Sequence, residues 1–162
     1  MINIKILCVG KVREKSLQDL INEYVKRLTK FCKLEIIEIE DEKIPYSFSV
    51  ADAEKIKEKE SNKILDKLSK FGKCDVILMD LNGKQYTSEE FSKKISKMCT
   101  YGSSTLVFII GGSLGMSEHL LNMSSDKISF SKMTFPHQLF RVFLLEQLFR
   151  AFKIESGQAY HH

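Results

Sequence analysis

Leu106-Val107-Phe108-Ile109-Ile110-Gly111-Gly112-Ser113-Leu114-Gly115 is a run of five apolar residues that breaks on a pair of glycines. A strand with one wet face would alternate apolar with polar. This one does not, so it reads as a central strand covered on both sides, which calls for helices on both faces of a parallel sheet. Residues 75–81, Asp-Val-Ile-Leu-Met-Asp-Leu, have the same character. The glycines stand where open parallel sheets collect ligands, because loops at the carboxyl ends of strands present unpaired backbone groups.

Outward from that run, strand and helix periods alternate. Ile2, Ile4, Ile6 and Cys8 alternate with Asn3, Lys5, Leu7 and Val9 and stop at Gly10, the pattern of a first strand. Leu17, Leu20, Ile21, Tyr24, Val25 and Leu28 then recur at three and four residues, which predicts an amphipathic helix. A second strand is expected over 34–39. Residues 41–50, with Pro45, read as a surface loop, and a Lys- and Glu-rich helix is expected over about 52–68. Asn82-Gly83 is a turn signal. Thr87 and Glu90 have capping-box spacing for the next helix. A short helix at 118–122 and a strand at 127–130 follow. The last helix is expected from Pro136, in its first turn, to about Ile154. Its apolar residues, among them Leu139, Phe143, Leu145, Phe149 and Phe152, cover more than one face, and the surplus predicts a partner, most simply a second copy. The fold class is therefore α/β with a mainly parallel sheet flanked by helices, in one domain spanning 1–162.

Composition narrows the function classes. With 43% hydrophobic and 28% charged residues, two prolines and eight glycines, the chain is an ordinary globular sequence. A formal charge of +4 favours an acidic polymer but does not make a nucleic-acid-binding tail. Cys8, Cys32, Cys74 and Cys99 stand singly, so neither a metal site nor a disulfide scaffold is written, and a reducing cytosol fits. No apolar run reaches membrane-spanning length, and the N-terminus carries no secretory signal pattern.

Three loops could hold chemistry: 80–84, 111–115 and 130–136. Gly111 and Gly112 would let a flat ligand approach the backbone where a Cβ would block it. The same glycines would serve a tight strand-to-helix turn. They make neither the dinucleotide fingerprint nor a phosphate-binding loop, since the spacing, the later acidic residue and the Gly-Lys-Ser/Thr are missing. Phe130-Ser131-Lys132-Met133-Thr134-Phe135-Pro136 could clasp an adenine and a thioether, or could be core. His137 could move a proton near neutral pH or only bond within its helix. Arg141 lies one turn later and Arg150 further along. Lys11, Arg13 and Lys15 form a basic loop or a solvated face. The tail Gln158-Ala159-Tyr160-His161-His162 is polar and aromatic, or a frayed end carrying a cloning remnant.

The opening Met1-Ile2-Asn3-Ile4, Val9-Gly10-Lys11, Leu81-Asn82-Gly83-Lys84, Phe108-Ile109-Ile110-Gly111-Gly112-Ser113, Phe130-Ser131-Lys132-Met133-Thr134-Phe135-Pro136-His137, Arg150-Ala151-Phe152 and Tyr160-His161 together resemble the RlmH family of large-subunit rRNA pseudouridine N3-methyltransferases, in the SPOUT superfamily. The resemblance implies a knotted fold in which the C-terminal backbone threads a loop into a trefoil, an exception to the rule against knots. It implies a homodimer packed through the last helix. It also implies S-adenosylmethionine held by Met79, Gly111, Phe130, Ser131, Lys132, Met133, Thr134 and Phe135. The implied substrate is N3 of a pseudouridine in the helix 69 loop of 23S rRNA on the assembled ribosome. His137 or His161 would take its proton, Arg141 and Arg150 would hold phosphate or uracil carbonyls, and Tyr160 would order with the tail over the RNA. A related enzyme acting on tRNA ribose and a non-catalytic ribosome-binding factor are the competing assignments.

Overall fold

The computed structural model describes residues 1–157 and folds the alternating periods into one sheet between two helical layers. In chain order the elements are β1 (Asn3–Val9), α1 (Lys15–Leu28), β2 (Lys33–Ile39), α2 (Val50–Leu68), β3 (Asp75–Gln85), α3 (Ser88–Tyr101), β4 (Thr105–Ile110), α4 (Glu118–Leu121), β5 (Lys127–Ser129) and α5 (His137–Glu155). The strands run in the order β2-β1-β4-β3-β5. Every neighbouring pair is parallel, so all five carboxyl ends reach the same edge.

β4, the decisive run, is the middle strand, and Leu106 through Ile110 are all buried. Its side chains divide the core. Leu106, Phe108 and Ile110 join Ile4, Ile6 and Cys8 under α1, α3 and α5, while Val107 and Ile109 join Leu7 and Val9 under α2 and α4. Burying each such Leu, Ile or Phe contributes about 1.5–3 kcal/mol over leaving it in water, so both faces drive the same strand inward. β1 reads as alternating but is central too. Its one polar interior residue, Lys5, survives by bonding Glu35, its register partner on β2, at 2.7 Å.

Three expectations change at the element level. α2 starts two residues early because Ser49 caps it, its hydroxyl accepting from Asp52 N–H while Asp52 accepts from Ser49 N–H. Pro136 is the N-cap of α5, not a residue of its first turn, with extended backbone (φ −54°, ψ 133°). Asn82-Gly83 is not a turn: β3 continues to Gln85 across a bulge in which both Met79 and Lys84 align with Ile128. Gly83 is required there, since a Cβ would stand 2.6 Å from the Ile128 backbone nitrogen.

α5 lies between α1 and α3. Phe152 stacks on Phe31 (5.5 Å between ring centres), Phe149 meets Tyr24 edge-on, and the Ser92 hydroxyl donates to the Ala151 carbonyl at 2.7 Å. A helix walled on three sides must be apolar on three sides. Much of its surplus apolar surface is therefore consumed within the chain, and Leu139, Phe143 and Ile154 remain only partly exposed.

Candidate active site

Three segments converge at the carboxyl edge of the sheet around a cleft of about 340 Å³: the β3 bulge, the loop after β4, and the chain from β5 to α5. Met79, Ile110 and Ile128 give it an apolar lining. The glycine loop forms a wall. Gly115 takes φ +90°, a left-handed conformation natural to glycine, and its N–H donates to the Gly112 carbonyl at 3.0 Å. Ser117 then fastens the loop, its N–H donating to Ser61 Oγ of α2 at 2.9 Å and its hydroxyl capping α4 at Leu120 N–H. A Cβ on Gly111 would meet Met116 Cγ at 2.9 Å, and one on Gly112 would meet Glu60 Oε1 at 2.7 Å. The glycines thus serve the loop's own packing as well as any ligand.

The segment 130–137 faces that loop. Ser131 organises its start: the carbonyl accepts from the Ser129 hydroxyl and the hydroxyl accepts from Met133 N–H, each at 2.9 Å. Phe130 does both things its composition allows, packing between Phe91 and Phe140 and lining the cleft. Ser131, Met133, Thr134 and Phe135 line it as well, and Phe135 is braced edge-on by Phe143. Lys132 is exposed and lies outside the lining.

His137 opens α5 at the cleft's end. Its Nδ1 is buried without a hydrogen-bond partner, and burial, then the nearby Arg141 charge, push its pKa below the ordinary value while Asp41 opposes them. Desolvation and the neighbouring cation thus both favour the neutral imidazole.

Arg141 is not in the cleft and is not free to hold phosphate. It is 2% exposed, with Nη1 donating to Glu38 Oε2 at 2.7 Å and Nη2 to the Gly10 carbonyl at 3.2 Å. Losing Glu38 would strand this buried cation at a cost of about 3 kcal/mol or more, whereas Glu38 itself, 39% exposed, keeps contact with water. Arg150 pairs with Glu146 at 2.7 Å. Thirteen residues of helix place it about 20 Å along the axis from His137, too far for the two to share one reacting centre within the chain. Tyr160 and His161 lie outside the described residues.

A second cleft, about 290 Å³, adjoins the first and shares Gly112, Ser113 and His137 with it. Its other lining comes from residues 41–44 and from Glu60. Glu60 is 4% exposed, accepts Glu42 N–H at 3.0 Å, and has its pKa raised by burial. Sequence reading passed over it, although one signal was present: Glu60 lies four residues after Ile56 and four before Ile64, on the buried stripe of α2. Gly10 and Glu38 carried no signal of their role. Among the described residues no group of His, Cys, Asp and Glu is placed to hold a metal ion, and no helix is long and apolar enough to cross a membrane.

Residues 2–161 match the family described as "Predicted SPOUT methyltransferase". The chain belongs to the SPOUT methyltransferase family. It is 55% identical over 159 residues to the ribosomal RNA large subunit methyltransferase H of Clostridium botulinum strain Kyoto (type A2), covering 98% of this chain and 99% of that one. Its identity to the protein of the same name from Clostridium acetobutylicum is 52% over the same length. A solved structure, that of a probable methylase family protein from Haemophilus influenzae, superposes with a TM-score of 0.56 at 10% identity, over 99% of this chain and 71% of that one. The arrangement of strands and helices is thus shared with a protein of almost no residue identity.

Proposed function

We propose that this SPOUT protein is an S-adenosylmethionine-dependent methyltransferase acting on N3 of a pseudouridine in the helix 69 loop of 23S rRNA, on the assembled ribosome in the cytosol. The observation that carries the reading is the cleft between the glycine loop and residues 130–137, in a chain more than half identical along its length to proteins named for rRNA methylation. Its volume falls in the range of about 300–1,000 Å³ usual for small-molecule sites.

The residues present fit the cofactor. An apolar floor suits an adenine, and a wall of glycine backbone leaves N–H and C=O groups uncovered by side chains to read the ring's edge. Met79, Gly111, Phe130, Ser131, Met133, Thr134 and Phe135 would hold it by side chain or backbone, and Lys132 by backbone. When bound, S-adenosylmethionine supplies an electrophilic methyl whose transfer to N3 neutralises its sulfonium. The protein's larger contribution is alignment of the two reactants, with acid–base help second. N3 loses its proton as the N–C bond forms, and His137, or His161 of the tail, accepts it directly or through water. Exposed Lys11, Arg13 and Lys132 near this edge offer cations to RNA phosphates, which position the substrate without reading sequence.

The same reading includes a single domain over 1–162, a homodimer through α5, and a trefoil knot. The knot reading is supported by the path of 130–137, which leaves edge strand β5, passes the ends of β3 and β4, and seats His137 against Gly10 at the end of β1.

Assembled ribosomes, free 23S rRNA and tRNA incubated separately with methyl-labelled cofactor, then digested to nucleosides, test the assignment. Label in N3-methylpseudouridine from ribosomes is expected. Label in 2′-O-methylated tRNA nucleosides, or ribosome binding without transfer, would replace it with one of the competing assignments. Deleting residues 160–162 should leave calorimetric cofactor binding intact and stop turnover, and undiminished turnover would remove the tail from the mechanism.

A further inference from the structure

One buried guanidinium joins segments that are distant in the chain. Arg141 of α5 donates to Glu38 at the end of β2 and to the carbonyl of Gly10 at the end of β1. The Glu38 oxygen that receives it also accepts Val12 N–H at 3.2 Å, and Gly10 N–H donates to the Ile39 carbonyl at 2.7 Å. The loop after β1 is therefore tied to β2 through its backbone N–H groups and hydrogen-bonded to α5 by the Arg141 side chain.

His137 stands one helical turn before Arg141, on the same face. Its ring lies against Gly10, with Cε1 3.0 Å from where a Cβ on that glycine would stand. Gly10 has φ +95°, so any other residue would be strained as well as in contact with the imidazole. The ring's seat and the arginine's acceptor are thus the same residue. Whatever fixes Gly10 relative to the first turn of α5 also fixes His137, and that link is the Arg141 bond to the Gly10 carbonyl, with Glu38 holding the guanidinium in place. Arginine suits the task because its planar fork bonds a carboxylate and a carbonyl at once, and a buried cation needs the counter-charge.

We infer that Glu38 and Arg141 are positioning residues that hold His137 at the junction of the two clefts, without touching substrate or cofactor themselves. The inference rests on the methyltransferase reading for its meaning in turnover, but its geometry stands apart from it. The charged groups around the imidazole are Arg141 on α5, Asp41, Glu42 and Lys43 in the loop after β2, and Glu60 on α2. Of these the guanidinium opposes protonation and Asp41 favours it, so the arginine that bonds Gly10 also helps to keep the ring neutral.

Glu38→Ala, Glu38→Gln and Arg141→Met test this by three readouts. In single-turnover methylation of ribosomes, Glu38→Ala should lose about a hundredfold in rate, the scale of a small misplacement, with cofactor affinity by calorimetry unchanged. Glu38→Gln, which keeps an acceptor for the guanidinium, should recover part of the loss. In Arg141→Met the pKa of His137, followed by NMR of its Cε1 proton, should rise towards the ordinary value. The nuclear Overhauser contact between the His137 ring and the Gly10 α-protons should be present in the native protein and lost in Glu38→Ala. Variants that melt earlier yet keep the native rate, His137 pKa and ring contact would make the pair mere glue and overturn the inference. If the native protein transfers no methyl group, the functional reading fails instead, and the ring contact and titration still decide the positioning.

Discussion

Cys8 and Cys32 are 1% and 2% exposed, and burial pushes each thiol from 9.0 up to about 12. Since only a thiolate reacts, both should resist alkylation in the folded protein. Peptide mass mapping after iodoacetamide treatment should find Cys74 and Cys99 modified first, and Cys8 or Cys32 labelling at their pace without denaturant would contradict the buried sheet face. His137 makes a signed prediction. Its folded pKa lies below the ordinary 6.5, so between the two values the unfolded chain binds more protons. This site's contribution to stability is complete above about 6.5 and is lost as pH falls below it. Urea midpoints measured from about pH 7.5 down to about pH 5 should decline more steeply in the native protein than in His137→Gln. Equal slopes would mean that the imidazole is not desolvated. At this scale the sequence pointed to His137 and Arg141 but could not separate them: both are polar residues at the start of one helix, and only packing made one a cleft residue and the other a buried tie.

Among elements, the β3 bulge decides how the cleft is shaped. Asn-Gly is a turn signal because both residues tolerate left-handed backbone, yet Gly83 here serves a different need, the close approach of the β5 backbone. Gly83→Ala should therefore cost about 1–3 kcal/mol, the scale of overpacking, and should weaken cofactor binding together with stability because Ile128 lines the cleft. Denaturant melts and calorimetry on one preparation would check this, and an unperturbed melt would refute the contact. The capping boxes of α2 and α3 are local chemistry, and the one at Thr87 was legible for that reason. α5 was legible as a helix but not in its surroundings. An all-round apolar helix looks the same in sequence whether it is covered by its own chain or by another.

For the whole molecule, that ambiguity bears on the dimer. α1, α3 and the sheet already cover most of α5, so a twofold contact would rest on the remaining partly exposed residues such as Leu139 and Ile154. Sedimentation should give twice the chain mass, and Leu139→Glu with Ile154→Glu should give the single-chain mass with an unchanged circular dichroism spectrum. A native monomer would remove the partner from the account. Parallel pairing throughout the sheet brings residues from 79 to 137 to one edge, and this is what makes a cleft out of segments that look unrelated along the chain.

The sequence by itself determined the α/β class, the central place of β4, the glycine loop after it and the family, because each is written in local periods or in runs of matching residues. Strand order, the bulge and the Glu38–Arg141–Gly10 tie were decided only by the tertiary structure. These depend on which distant backbones come within a few ångströms of one another, and nothing in a residue's neighbours along the chain encodes that distance.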